Sequence, residues 1–191
     1  MKRRFSKSLG RKTHGNPDAP ISTIGEEESL QLLESLGNDP FLLILDQVQD
    51  PRNLGACLRS ADGAGVDLIV LPSDRSAGLT DVVRHVACGA AETLPIARVV
   101  NLARYLEKLS DFGVRLLGTS DQAKNSIFET DFSGSCALVM GAEESGIRRL
   151  TAKHCDELIY IPMNGAVECL NVSVATGVCL FEARRQRSYK K

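Results

Sequence analysis

The chain has 191 residues, of which 43% are hydrophobic and 25% charged, a composition suited to one soluble globular domain with a full core. No apolar run is long enough to span a membrane, and no apolar leader follows the basic start, so a cytoplasmic location is expected. The formal net charge of -1 conceals an uneven distribution: residues 1–12 and 184–191 hold 11 of the 23 basic residues and no acid. The remainder carries 12 basic and all 24 acidic residues, and basic ends on an acidic body suit contact with a polyanion such as RNA. Basic tails that only aid solubility are the alternative.

Residues 1–25 are polar, with Gly10, Gly15, Asn16, Pro17 and Pro20, and read as a loosely attached arm. Glu26 to Leu36 places Leu30 and Leu33 on one side and acids early, as a short amphipathic helix does. The arm and this helix, 1–39, precede a domain expected over 40–191. Phe41 to Leu45 is an apolar run of strand length, followed by a polar turn and a helix from about Pro51 to Ala64, closed by Gly65. Strands are expected at Asp67–Leu71, Thr93–Ala97, Val114–Gly118, Cys136–Met140 and Leu158–Ile161. Helices are expected at Thr80–Ala87, Asn101–Leu109 and Val172–Gln186, with Asn101 and Asn171 at capping positions. The strands are continuous rather than alternating apolar runs, which predicts an α/β fold: a mostly parallel sheet covered by helices on both faces.

In such sheets ligands sit beyond the strand C-termini. Three rich loops follow strands there: 46–53, 141–149 and 162–171. In the first, Arg59 lies among Ala56, Leu58 and Ala61 a short way past Asn53. A guanidinium in that setting suits a phosphate or carboxylate, or forms an ion pair with an acid such as Asp46. In the second, Gly141, Ala142 and Gly146 let backbone approach a ligand, and Glu143 and Glu144 can pair with Arg59, Arg148 or Arg149. The third opens with Pro162-Met163-Asn164-Gly165 and enters a helix at Asn171, leaving backbone groups without ladder partners.

Phosphate-binding GxxxxGK[ST] and GxGxxG motifs are absent, which argues against ATP and NAD. His14, His85 and His154 lie outside all three loops. Cys57, Cys88, Cys136, Cys155, Cys169 and Cys179 form no CxxC and no metal spacing, so reduced thiols and no metal are expected. Group transfer from an activated donor fits a site that orients rather than ionises its substrate.

Together NLGACLRSADGAG, VMGAEESGI and IPMNGAVECLNVSVATG resemble, in order, the three motifs of the SPOUT superfamily in its SpoU branch of RNA ribose 2′-O-methyltransferases. The resemblance covers about residues 40–187. CGAAE at 88–92 and RRLTAKHCDELIYIPM fit the subgroup that acts on a guanosine ribose of large-subunit rRNA; a tRNA enzyme or a non-catalytic RNA-binding protein is the alternative. The resemblance implies a C-terminal trefoil knot, a homodimer and S-adenosylmethionine as cofactor. It implies that Gly141, Ile161 and Leu170 hold the adenosine part mainly through backbone groups, with Met140, Pro162 and Met163 around them. Asn53, Arg59, Glu143 and Asn171 match the polar active-site positions. Cys169 stands where the family usually has serine, and a thiol is the weaker hydrogen-bonding group. RNA contacts are expected at Arg52, Arg75, Arg84, Arg148 and the basic ends, although any one of these can be ordinary surface charge. Family members usually carry a separate N-terminal RNA-recognition domain, for which the first 40 residues are too short.

Overall fold

The computed structural model describes residues 21–37, 39–142 and 146–188. Seven parallel strands form one sheet in the order β3-β2-β1-β6-β4-β7-β5. They are β1 (Phe41–Leu45), β2 (Leu68–Pro72), β3 (Ile96–Val99), β4 (Arg115–Thr119), β5 (Asn125–Ser126), β6 (Cys136–Met140) and β7 (Glu157–Tyr160). The helices are α1 (Glu26–Leu36), α2 (Pro51–Ala64), α3 (Asp81–Ala87), α4 (Ala90–Thr93), α5 (Leu102–Asp111), α6 (Arg149–His154) and α7 (Val172–Ser188).

Helices cover both faces, which is why the central strands are apolar at every position. Alternate residues point to opposite sides. Leu43, Leu45, Ile69, Leu138 and Met140 pack with residues of α2, α3 and α7. Leu42, Ile44, Val70, Ala137 and Val139 pack with residues of α1 and α5. Among the described residues no helix is long and apolar enough to cross a membrane.

Local chemistry sets the helix ends. Asp50 accepts the Arg52 N–H at 2.7 Å, Pro51 opens α2, and Gly65 closes it in the left-handed region. Asn101 caps α5 by accepting the Arg104 N–H at 3.1 Å, as its position in the sequence suggests.

Several details depart from expectation. The segment before α1 is attached to the sheet over its described part: Ile24 donates to Ile96 O at 2.9 Å and accepts from Arg98 N at 3.0 Å, extending the edge at β3. Residues 1–20 lie outside the described residues. The α1 helix is fixed too, with Ser29 hydrogen-bonded to buried Tyr105 at 2.7 Å and Glu26 paired with Lys108 at 3.1 Å. Thr93 ends a short helix, α4, instead of opening a strand, and β3 starts after Pro95. Neither α6 nor the two-residue β5 was expected: α6 is short and basic, and β5 is polar.

Candidate active site

Two of the three loops leave adjacent strands. β1 and β6 pair in register up to Leu45 and Met140, and Asp46 N–H donates to Met140 O at 2.7 Å just beyond. The chain runs outward from β1 through β2 to β3, then returns to fill the other side, so β1 and β6 flank the switch in strand order where α/β sheets bind ligands. The third loop leaves β7, which β4 separates from β6.

Side chains close that gap. Asp46, fully buried, lies 2.7 Å from Arg148 Nε and accepts the Arg148 N–H at 3.0 Å, tying the first loop to the second. Asn171 Nδ2 donates to Asn53 Oδ1 at 3.2 Å, tying the third loop to the first. Asn171 also caps α7: its Oδ1 accepts the Ser173 N–H at 3.0 Å and its carbonyl accepts the Ala175 N–H at 2.9 Å. Beneath them α2 and α7 are locked by a buried polar pair, in which Cys57 donates to Thr176 Oγ1 at 3.5 Å and Thr176 donates to Val172 O at 2.7 Å.

The described ends of the second loop meet each other. Ala142 and Gly146 exchange backbone hydrogen bonds at 3.0 and 2.9 Å, and Gly146 takes a φ of +62°. A Cβ on Gly141 would stand 2.0 Å from the Gly146 carbonyl carbon and 2.1 Å from Ile147 N, so only glycine fits.

The third loop offers polar backbone. Among the described residues, the N–H and C=O groups of residues 161–170 make no hydrogen bond. Yet Ile161, Pro162, Met163 and Leu170 are half-buried, and Ile161 packs against the core cluster to which Met140 belongs. Such backbone groups are left to meet water or a ligand. A ligand with both apolar and hydrogen-bonding edges, such as an adenosyl group, would suit them. Asn164 to Cys169 are exposed.

The other expected site residues are distributed as follows. Arg59 faces solvent, and its Nη1 donates to Cys88 Sγ at 3.4 Å. Asp46 goes to Arg148 instead, so the simple Arg59–Asp46 pair does not form. Glu143 lies outside the described residues. Of the four arginines expected at RNA, Arg52 and Arg75 are exposed, Arg75 in the left-handed region. Arg84 is held by Glu92 at 2.9 Å and Asp81 at 3.2 Å, and Arg148 by Asp46 and, at 3.9 Å, Asp74.

Two shaping residues escaped the sequence reading. Arg98, at the β3 end, donates to Ala77 O at 2.9 Å and Pro72 O at 3.4 Å, clamping the loop after β2, and burial lowers its pKa. Cys88 sits in the quoted CGAAE run, but nothing there foretells its contact with Arg59.

This parallel α/β architecture, with the loops after β1, β6 and β7 tied together, is shared by solved methyltransferases. It is similar to the SpoU methyltransferase AviRb from Streptomyces viridochromogenes solved with AdoMet: TM-score 0.73 and 28% identity, over 83% of this chain and 65% of that one. Residues 40–181 match the SpoU rRNA Methylase family, and the chain belongs to that family. It is 53% identical over 173 residues to the 23S rRNA (guanosine-2'-O-)-methyltransferase RlmB of Pseudomonas putida, covering 91% of this chain and 70% of the relative. To RlmB of Escherichia coli it is 56% identical over 163 residues, covering 85% and 67%.

Proposed function

We propose that this chain transfers a methyl group from S-adenosylmethionine to the ribose 2′-hydroxyl of a guanosine in large-subunit rRNA, in the cytoplasm. Family membership and the relatives' named activity support the reaction and the substrate. The observation that carries the reading to particular residues is the Asn171–Asn53 bond, which brings the third loop over the N-terminus of α2. S-adenosylmethionine, when bound, supplies a methyl group activated by a sulfonium.

Gly141, Ile161 and Leu170 hold the adenosyl part through backbone groups, and Met140, Pro162 and Met163 wall it from water. Asn53 and Asn171 fix the two loops against each other and meet the ribose. Arg59 anchors a substrate phosphate or the oxygen that becomes nucleophilic. A guanidinium is effectively never deprotonated, so the reading gives it no role as a base. Glu143 orients Arg59. Cys169, exposed in the serine position of the family, donates more weakly than a hydroxyl. Arg52, Arg75 and the basic N-terminal arm meet RNA phosphates, whereas Arg84, Arg148 and Arg185 are held by acids and Arg187 by the Phe132 and Gly134 carbonyls, and these serve the fold first.

The reading extends to shape and assembly. The domain spans 40–191, and after β7 the chain returns past β4 and β6 to seat α7 against α2, a return to which the reading assigns the family's trefoil knot. The chain pairs with a second copy. Val174 and Phe181, seven residues apart on α7, are 52% and 53% exposed and suit that interface.

The test is methyl transfer from labelled S-adenosylmethionine to unmodified 23S rRNA and, in parallel, to tRNA, with digestion to nucleosides. Label in 2′-O-methylguanosine from 23S rRNA is expected. Label in tRNA alone would move the substrate. Cofactor binding without transfer would make the chain a binding protein.

A further inference from the structure

Arg59 is carried on α2, but what holds its guanidinium comes from elsewhere. Its Nη1 donates to Cys88 Sγ at 3.4 Å, and Cys88 lies 29 residues further along the chain. Cys88 ends α3 in the left-handed region, with φ at 51°. That conformation is costly for a residue with a Cβ and is usually left to glycine. Here a thiol occupies it, and the position aims Sγ at α2.

Packing sets the distance. α3 lies hard against α2 because Gly55 has no side chain: a Cβ there would stand 2.8 Å from Val83 O and 2.8 Å from Val86 Cβ. Gly55 is four residues before Arg59, so both share one face of α2. The close approach that Gly55 allows delivers the end of α3 beneath Arg59. The corner is then pinned from three sides. Arg84 on α3 pairs with Glu92 on α4 at 2.9 Å. Thr93 on α4 donates to Asp62 on α2 at 3.0 Å. Cys88 N–H donates to His85 O at 3.4 Å.

We propose that Cys88 is a positioning residue for Arg59, its sulfur setting the direction of the guanidinium toward the substrate. The inference rests on the reading of Arg59 as an active-site residue. A sulfur acceptor suits this task, because it is large and soft and restrains a guanidinium without neutralising it.

The test uses Cys88→Gly, Cys88→Ser, Arg59→Ala and the double variant Cys88→Gly/Arg59→Ala. Glycine removes the sulfur but is at ease in the left-handed region, so folding is preserved. Thermal unfolding and S-adenosylmethionine affinity are measured beside kcat and KM for methyl transfer to unmodified 23S rRNA. Cys88→Gly is expected to lower kcat roughly tenfold, the scale of a mis-set catalytic group, with the melting temperature and cofactor affinity held. Serine is expected to recover most of that loss. In the Arg59→Ala background, Cys88→Gly is expected to change nothing further.

An equal loss from Cys88→Gly with and without Arg59 would overturn the inference, since the sulfur would act by another route. Full activity of Cys88→Gly beside a crippled Arg59→Ala would overturn it too, leaving the role of Arg59 intact. Full activity of Arg59→Ala, or no transfer by the unaltered chain, would overturn the reading beneath it and the inference together.

Discussion

Asn171 donates to Asn53 at 3.2 Å, and the bond joins loops 118 residues apart. The same side chain caps α7 through its Oδ1. The two duties use different atoms and can be separated. Asn171→Asp keeps the acceptor and adds a charge that a helix N-terminus favours, but loses the donor to Asn53. We expect it to keep the melting temperature while methyl transfer drops at least tenfold, the scale set by loss of substrate positioning. Asn171→Ala loses both and is expected to cost about 1 kcal/mol of stability as well. Thermal unfolding beside a transfer assay reads the difference.

The Asp46–Arg148 pair invites a second variant. Arg148→Ala leaves a fully buried carboxylate with only backbone to answer it. Stripping one partner from a buried pair costs several kcal/mol; because Arg148 is 29% exposed, we expect the loss to be nearer 2 kcal/mol. Asp46→Asn combined with Arg148→Met is expected to recover part of it, since no uncompensated charge remains. Urea unfolding of the two variants measures the gap.

Gly141 gives the sharpest steric prediction. An alanine Cβ would lie about 2 Å from backbone atoms of Gly146 and Ile147, and backbone cannot rotate aside as a side chain can. Gly141→Ala is expected to spring the second loop and lower S-adenosylmethionine affinity at least tenfold, a change that isothermal titration calorimetry detects. Unchanged affinity would remove this loop from the cofactor site.

The thiols should separate by exposure. Cys88 and Cys169 face solvent, whereas Cys57, Cys136 and Cys179 are buried. Burial pushes the Cys179 and Cys155 thiols up to about 12, aided at Cys155 by nearby Asp156 and Asp46, and raises Cys136. The raised groups stay protonated and unreactive through mildly alkaline pH. Iodoacetamide at about pH 8 is therefore expected to modify Cys88 and Cys169 first and Cys179 only after unfolding. Mass spectrometry of the time course checks the order.

How far the sequence foretold this arrangement depended on the range of the interaction. Phe41–Leu45 and Cys136–Met140 were legible to the residue, because an unbroken apolar run of five admits few readings. The caps at Asn101 and Asn171 were legible because capping is local. α6 was not: Arg149 to His154 is short and basic, and its anchor is the burial of Thr151. β5 was not, since two polar residues become a strand only by meeting β7. Within the site, the residue types of all three loops could be read, but their pairings could not. Whether Asp46 meets Arg59 or Arg148 depends on β6 lying beside β1, a matter of sheet order. The Arg59–Cys88 contact depends on how closely Gly55 lets two helices approach.

The bridge at Ile24 bears on how these molecules behave when crowded together. β3 is one border of the sheet, and Ile24 takes up two of the main-chain groups that a bare border would offer to a stranger. The far border, β5, is two residues long and gives little to template on. A sheet finished this way at both ends resists growing by addition of foreign strands. The borders thus offer little to the ribbon-on-ribbon growth that ends in aggregates.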